Sequence, residues 1–119
     1  MADPNIFNTT VISGNTAVQN VTTVLTSVVS NAAASGRVYR INSLIIANVD
    51  GVNAADVTVD LFRSSIAYRL ASTITVPADA SLVVISKENS IYLQEGDALR
   101  CAASANNDLM AVCSFENIA

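Results

Sequence analysis

The chain predicts an all-β fold: two packed antiparallel sheets, a β-sandwich of eight or nine short strands, jelly-roll-like or immunoglobulin-like in order. Three observations predict it. Val, Ile and Thr supply 34 of the 119 residues, and such χ1-stiff side chains suit a pleated, half-buried surface. Apolar residues recur at period two in runs of three to thirteen residues, separated by Gly, Pro, Asn, Asp and Ser. No long helical pattern interrupts them, and a chain of this length suits one domain with an adequate core.

Taken in order, Phe7 to Ser13 predicts a first strand, ended by Gly14-Asn15. Across Ala17 to Ala34, Val18, Val21, Leu25, Val28 and Ala32 have helix-like spacing. The run VTTVLTSVV is so rich in β-branched residues that a strand over 21–29 is the better reading. Arg37 to Val49 is the clearest strand. Ile41, Ser43, Ile45, Ala47 and Val49 share one face, Arg40, Asn42, Leu44, Ile46 and Asn48 the other, as for a central strand covered on two sides. Asp50-Gly51 opens a loop. Asp56 to Arg63 then places Val57, Val59 and Leu61 inward and Thr58, Asp60 and Phe62 outward.

After Ser64-Ser65, Ile66 to Val76 alternates again, with Tyr68, Leu70, Ile74 and Val76 on the core side, and Pro77 stops the strand. Ser81 to Ser86 is a short buried strand, Ile91 to Leu93 a brief one, and Gly96 in the EGD turn needs positive φ. Ala98 to Ala103 and Leu109 to Ile118 flank Asn106-Asn107-Asp108. A hairpin symmetric about Asn107 would set Cys101 opposite Cys113, as two small core hydrophobes or a strained cross-strand disulfide.

Composition removes several functions. Without His there is no ordinary neutral-pH general base, no Ser–His chemistry and no imidazole metal ligand. Six Lys and Arg against ten Asp and Glu give a net charge of −4, which disfavours nucleic acid as a partner. No apolar run approaches the ~18 residues of a membrane-spanning helix, and the first residues lack the pattern of a secretory signal. Two Cys make neither a CxxC pair nor a metal set and fit a protein made in a reducing cytosol.

The remaining chemistry-bearing residues are few. Asp56 and Asp60 lie four apart on a strand, about 13 Å at ~3.3 Å per residue, too far for a carboxylate dyad, and read as solvated edge charges. Asp50, Asn53 and Asp56 offer oxygen ligands without the EF-hand spacing and read as an Asp-rich turn. Of Tyr39, Tyr68 and Tyr92, only Tyr92 is expected to be exposed as a sugar platform would require. Neither catalytic residues, nor metal ligands, nor a cofactor site is predicted.

Residues 1–36 carry one charge, Asp3. Apolar side chains in so neutral a segment invite aggregation unless covered. Residues 1–20 are therefore expected to form an N-terminal arm or edge strand and 21–119 the sandwich. Ile6, Phe7, Val11, Ile12, Val18 and the outward Phe62 are the candidate assembly contacts.

The ordered series RVYRINSLIIANVDG, ADVTVDLF, TVPADASLVVISKENSIYLQEGDALRCAASA and SFENI, with IFNTTVISGNT near the start, resembles small virion proteins of tailed bacteriophages, especially marine and cyanobacterial ones. Most of the chain takes part; the Cys at 101 and 113 depart from the pattern. The resemblance implies a non-enzymatic particle component made in the host cytoplasm and located in the virion. Its partners would be other copies of itself, a trimer among the options, and the major capsid or other virion proteins. A head decoration (cement) protein is the first expectation. A neck, tail or fibre subunit, or a receptor- or glycan-binding module, is the alternative.

Overall fold

Nine strands account for most of residues 11–119, which the computed structural model describes. They are β1 (Ile12–Asn20), β2 (Thr26–Ser30), β3 (Val38–Asn48), β4 (Ala55–Arg63), β5 (Ile66–Val76), β6 (Ser81–Ile85), β7 (Ile91–Leu93), β8 (Ala98–Ala103) and β9 (Leu109–Ile118). One sheet has the order β1-β9-β3-β6, with β7 also beside β3; the other has β2-β8-β4-β5. All pairings are antiparallel, and one series of them is nested: β4 with β5, β3 with β6 and β7, β2 with β8, β1 with β9; β3 with β9 and β4 with β8 then join the nested pairs into two sheets. Such nesting is the jelly-roll order, which decides between the two sandwich types that the sequence allows.

The core lies between the sheets and is aliphatic. Ala17, Cys113, Leu44 and Ile85 stand in one cross-strand row of the first sheet, and Val57, Val59, Leu99 and Cys101 project from the second. Each fully buried Leu, Ile or Val contributes about 1.5–3 kcal/mol. Val57 and Val59 on β4 lie inward as expected, because the period-two pattern reports directly which side chains must leave water.

β3 departs from the expected faces. Its register with β9 shifts between Ile41 and Ser43, so Ile41 shares the inner face with Leu44 and Ile46 rather than with Ile45. A bulge inserts one residue and reverses the alternation beyond it. Nor is β3 covered on both sides, since Ile45 faces outward and is exposed.

Near the N-terminus, the strand expected at Phe7 to Ser13 begins outside the described residues, and its predicted stop is not one. β1 runs straight through Gly14-Asn15 to Asn20, its register with β9 unbroken. The strand expected over 21–29 shrinks to β2. Thr22 and Thr26 hydroxyls both donate to the Val24 carbonyl (3.1 and 2.9 Å), and the Thr23 N–H donates to Asn106 Oδ1 at 3.0 Å. Side-chain bonds of this kind offer the backbone an alternative to the ladder.

β5 also corrects the expectation. Tyr68, Leu70 and Ile74 are not core residues; they are exposed, because β5 is an edge strand beyond the reach of the opposing sheet. Two register shifts interrupt its pairing with β4, and Thr73 sits at φ +53°. The Ser64-Ser65 turn is likewise left-handed at both positions, as a two-residue hairpin demands. β6, expected to be buried, is also an edge strand, with Val83 exposed. Gly96 has φ +86°, as expected.

The predicted hairpin between the last two strands does not form. β8 pairs with β2 and β4 in one sheet, and β9 with β1 and β3 in the other, so the chain crosses the sandwich at Asn106–Asp108. Cys101 and Cys113 consequently lie on different sheets within one core cluster, both free and buried. Burial, with the nearby Asp60 charge, pushes the Cys101 thiol up to about 11; burial, with Cys101 beside it, pushes Cys113 up to about 12. Folded values above the unfolded one mean stability is complete below about pH 8.5–9 and declines as pH rises toward 11–12. Chemical unfolding across pH 8–11 should show that decline, on the order of a few kcal/mol. Cys113→Ala should reduce it by about half, Cys101 supplying the rest.

Candidate assembly surface

The outer face of the β1-β9-β3-β6 sheet follows from its register. Val18 lies opposite Val112, Val112 opposite Ile45, and Ile45 opposite Val83, so one apolar row crosses the whole sheet. All four side chains are exposed, Val18 the most at 73%. At ~4.8 Å per strand the row spans about 14 Å. On one side lie Asn20, Met110, Ala47 and Ser81, on the other Thr16, Ser114 and Ser43. No charge falls within these rows. Val18, Asn20, Met110 and Val112 also line a shallow depression of about 330 Å³. Only at the far end does the Arg40–Glu116 pair appear, at 3.9 Å.

The predicted contacts divide. Val11, Ile12 and Val18 are exposed along the β1 side of this sheet. Ile6 and Phe7 lie outside the described residues. Phe62 is on the other sheet, half-buried beneath the Arg100 guanidinium, whose carbon is 3.9 Å from the ring centroid. Val112, Ile45, Val83 and Met110 escaped the sequence reading. Alternation marks a second apolar face without telling whether the same chain covers it.

Elsewhere several buried polar groups are engaged in holding the structure. Asp60, expected to be solvated, is 0% exposed although it projects from the outer side of β4. Arg100 stands opposite it on β8 and donates Nε and Nη2 to its two carboxylate oxygens at 2.9 and 2.8 Å. That contact raises the Arg100 pKa. Asp97 accepts Nε and Nη2 of Arg63 and the Gln94 N–H (2.8 Å), and Asn31 donates to the Arg37 and Leu93 carbonyls. At the opposite end, Asn48 donates to the Asn53 and Val76 carbonyls and accepts from the Asp50 N–H.

Asp50 itself accepts the Val52 and Asn53 N–H groups, and these bonds hold its carboxyl below the usual range. The 50–56 loop is thus tied by its own oxygens. Asp56 accepts the Thr75 hydroxyl at 2.7 Å. Tyr39 tilts against Phe115 with ring centroids 5.4 Å apart, Tyr68 is exposed on β5, and Tyr92 is exposed on β7 of the other sheet. The three rings form no common platform.

No family model matches the chain, and no curated protein matches it. Among solved structures it is similar to the subunit of Bacillus endospore appendages, described as a novel family of disulfide-linked pili. The identity is 13%, the TM-score 0.55, and the match covers 99% of this chain and 96% of that one. It is also similar to a chain of the acid-stable capsid of Helicobacter pylori bacteriophage KHP30, at 8% identity and TM-score 0.52, covering 93% and 90%. At such identities the shared property is the fold.

Proposed function

We propose that the protein is a non-enzymatic structural subunit of a phage particle, acting as a head decoration (cement) protein through contacts between subunits. The observation that carries this reading is the uncharged apolar row Val18–Val112–Ile45–Val83, exposed on a chain whose buried Asp60, Asp97, Asn31 and Asn48 are engaged in holding the fold. An aliphatic face of this kind gains stability when another surface removes it from water. Jelly rolls recur in capsid proteins, and both similar structures are subunits of protein assemblies, which agrees with this role. Unlike a disulfide-linked pilus, this chain would assemble non-covalently, because its two thiols are both buried.

Antibody labelling of the phage particles whose genome encodes the chain tests the proposal. Label over heads, and heads that rupture more easily without the protein, are the expected results. Label at the neck or tail moves it to the alternative location. Particles that carry none of it overturn the structural role.

A further inference from the structure

We propose that two copies of the chain join edge to edge through β1, antiparallel about a two-fold axis at Thr16, so that the sheet continues across the contact. This rests on the assembly role above and names the partner and the strand.

The argument begins from the sheet edges. An unpaired edge strand is a template for another chain, and proteins guard it with bulges, charges, proline or brevity. Three edges here are guarded. β2 has five residues and a register shift; β6 has five, a shift against β3, and Lys87-Glu88 just beyond; β5 has two shifts, Arg69 and the strained Thr73. β1 has nine residues, an unbroken register, no charge and no proline.

Among the described residues, the backbone bonds show which groups of β1 are paired with β9 and which are not. Val11 and Ala119 exchange N–H···O bonds of 3.4 and 3.0 Å, and the Val21 N–H donates to the Leu109 carbonyl at 2.9 Å. Antiparallel ladders bond alternate residues, so the odd positions of β1 face β9. The N–H and C=O groups of Ile12, Gly14, Thr16, Val18 and Asn20 therefore point away from the sheet.

A two-fold at Thr16 uses every one of them. Thr16 pairs with the second copy's Thr16, Gly14 with its Val18, and Ile12 with its Asn20. This register sets the most exposed large apolar side chain of the strand, Val18, across from bare backbone. Gly14 has no positive φ, and an added Cβ would meet nothing within 4 Å, so nothing among the described residues gives a reason for glycine there. A glycine inside a strand marks close approach by another group. Neutrality matters as well: copies with a net charge of −4 meet where neither carries charge.

Sedimentation and amide exchange on the full chain provide the test. Wild type should sediment at twice its 12.4 kDa mass, and the amides of Gly14, Thr16 and Val18 should be protected along with those of Ser13, Asn15 and Ala17. Thr16→Pro removes only an outward N–H, and Thr16→Lys places two ammonium groups together at the axis. Either should weaken dimerisation about 100-fold or more. Both should keep the β circular dichroism and the protection of the odd residues; if Thr16→Pro misfolds, Thr16→Lys carries the test alone.

A wild-type oligomer whose even-numbered β1 amides exchange freely, or a trimer indifferent to Thr16→Lys, overturns the β1 pairing and leaves the assembly role standing. A wild-type monomer that still labels phage heads does the same. Absence from the particles overturns the role itself.

Discussion

Arg100→Ala is expected to cost about 3–5 kcal/mol, because it takes the ion-pair partner from a buried carboxylate. Asp60 is 0% exposed and its two oxygens are occupied by Nε and Nη2 of Arg100. With typical domain stabilities of roughly 5–15 kcal/mol, this single change would remove from about a fifth of the stability to nearly all of it. The same guanidinium covers Phe62, so the substitution also uncovers an aromatic ring. A pair change, Asp60→Leu with Arg100→Met, removes both charges and should be nearly neutral. Urea unfolding reads both outcomes. A loss under about 1 kcal/mol in Arg100→Ala would show that the carboxylate finds another partner.

Asp97→Ala is the second large effect, about 2–4 kcal/mol. Its carboxylate joins Arg63 at the end of β4 to the Gln94 N–H in the turn before β8, and its backbone carbonyl accepts the Asn31 N–H at 2.9 Å. The Arg63 side chain is 40% exposed and can be rehydrated, which puts this loss below that at Arg100. Asp97→Asn retains an acceptor for Gln94 and should cost about half as much. An unchanged dependence on denaturant would place the effect in the native state.

The strands themselves were legible because their signals are local. Ile66–Val76, Ile91–Leu93, Ala98–Ala103 and Leu109–Ile118 lie where alternation and turn residues put them. Partners and phases were not legible. Asn106-Asn107-Asp108 has the chemistry of a hairpin turn, yet β8 obtains its hydrogen bonds from β2 and β4, far away in sequence. The β3 bulge at Asn42–Ser43 is written in no residue type, and one inserted residue turns Ile45 from its expected companion of Ile41 into a surface residue.

The assembly surface shows the same division. Val18 stood out as an apolar residue in a segment without charge. Val112, Ile45 and Val83 looked like ordinary strand interior, since a sequence shows two apolar faces and only the fold reveals that one stays uncovered. Asp60 misled for a related reason: its outward position was correct, but its cover came from the neighbouring strand's Arg100.

The nested order of the pairings has a consequence for how each molecule comes into being. The β4–β5 turn closes with the shortest loop, and every later pairing encloses a longer one, whose closure costs more entropy. β1 leaves the ribosome before all the other strands and can dock only when β9, synthesised last of the nine, has emerged. Translation therefore holds an uncharged, partnerless ribbon in waiting while the seven strands between them are made.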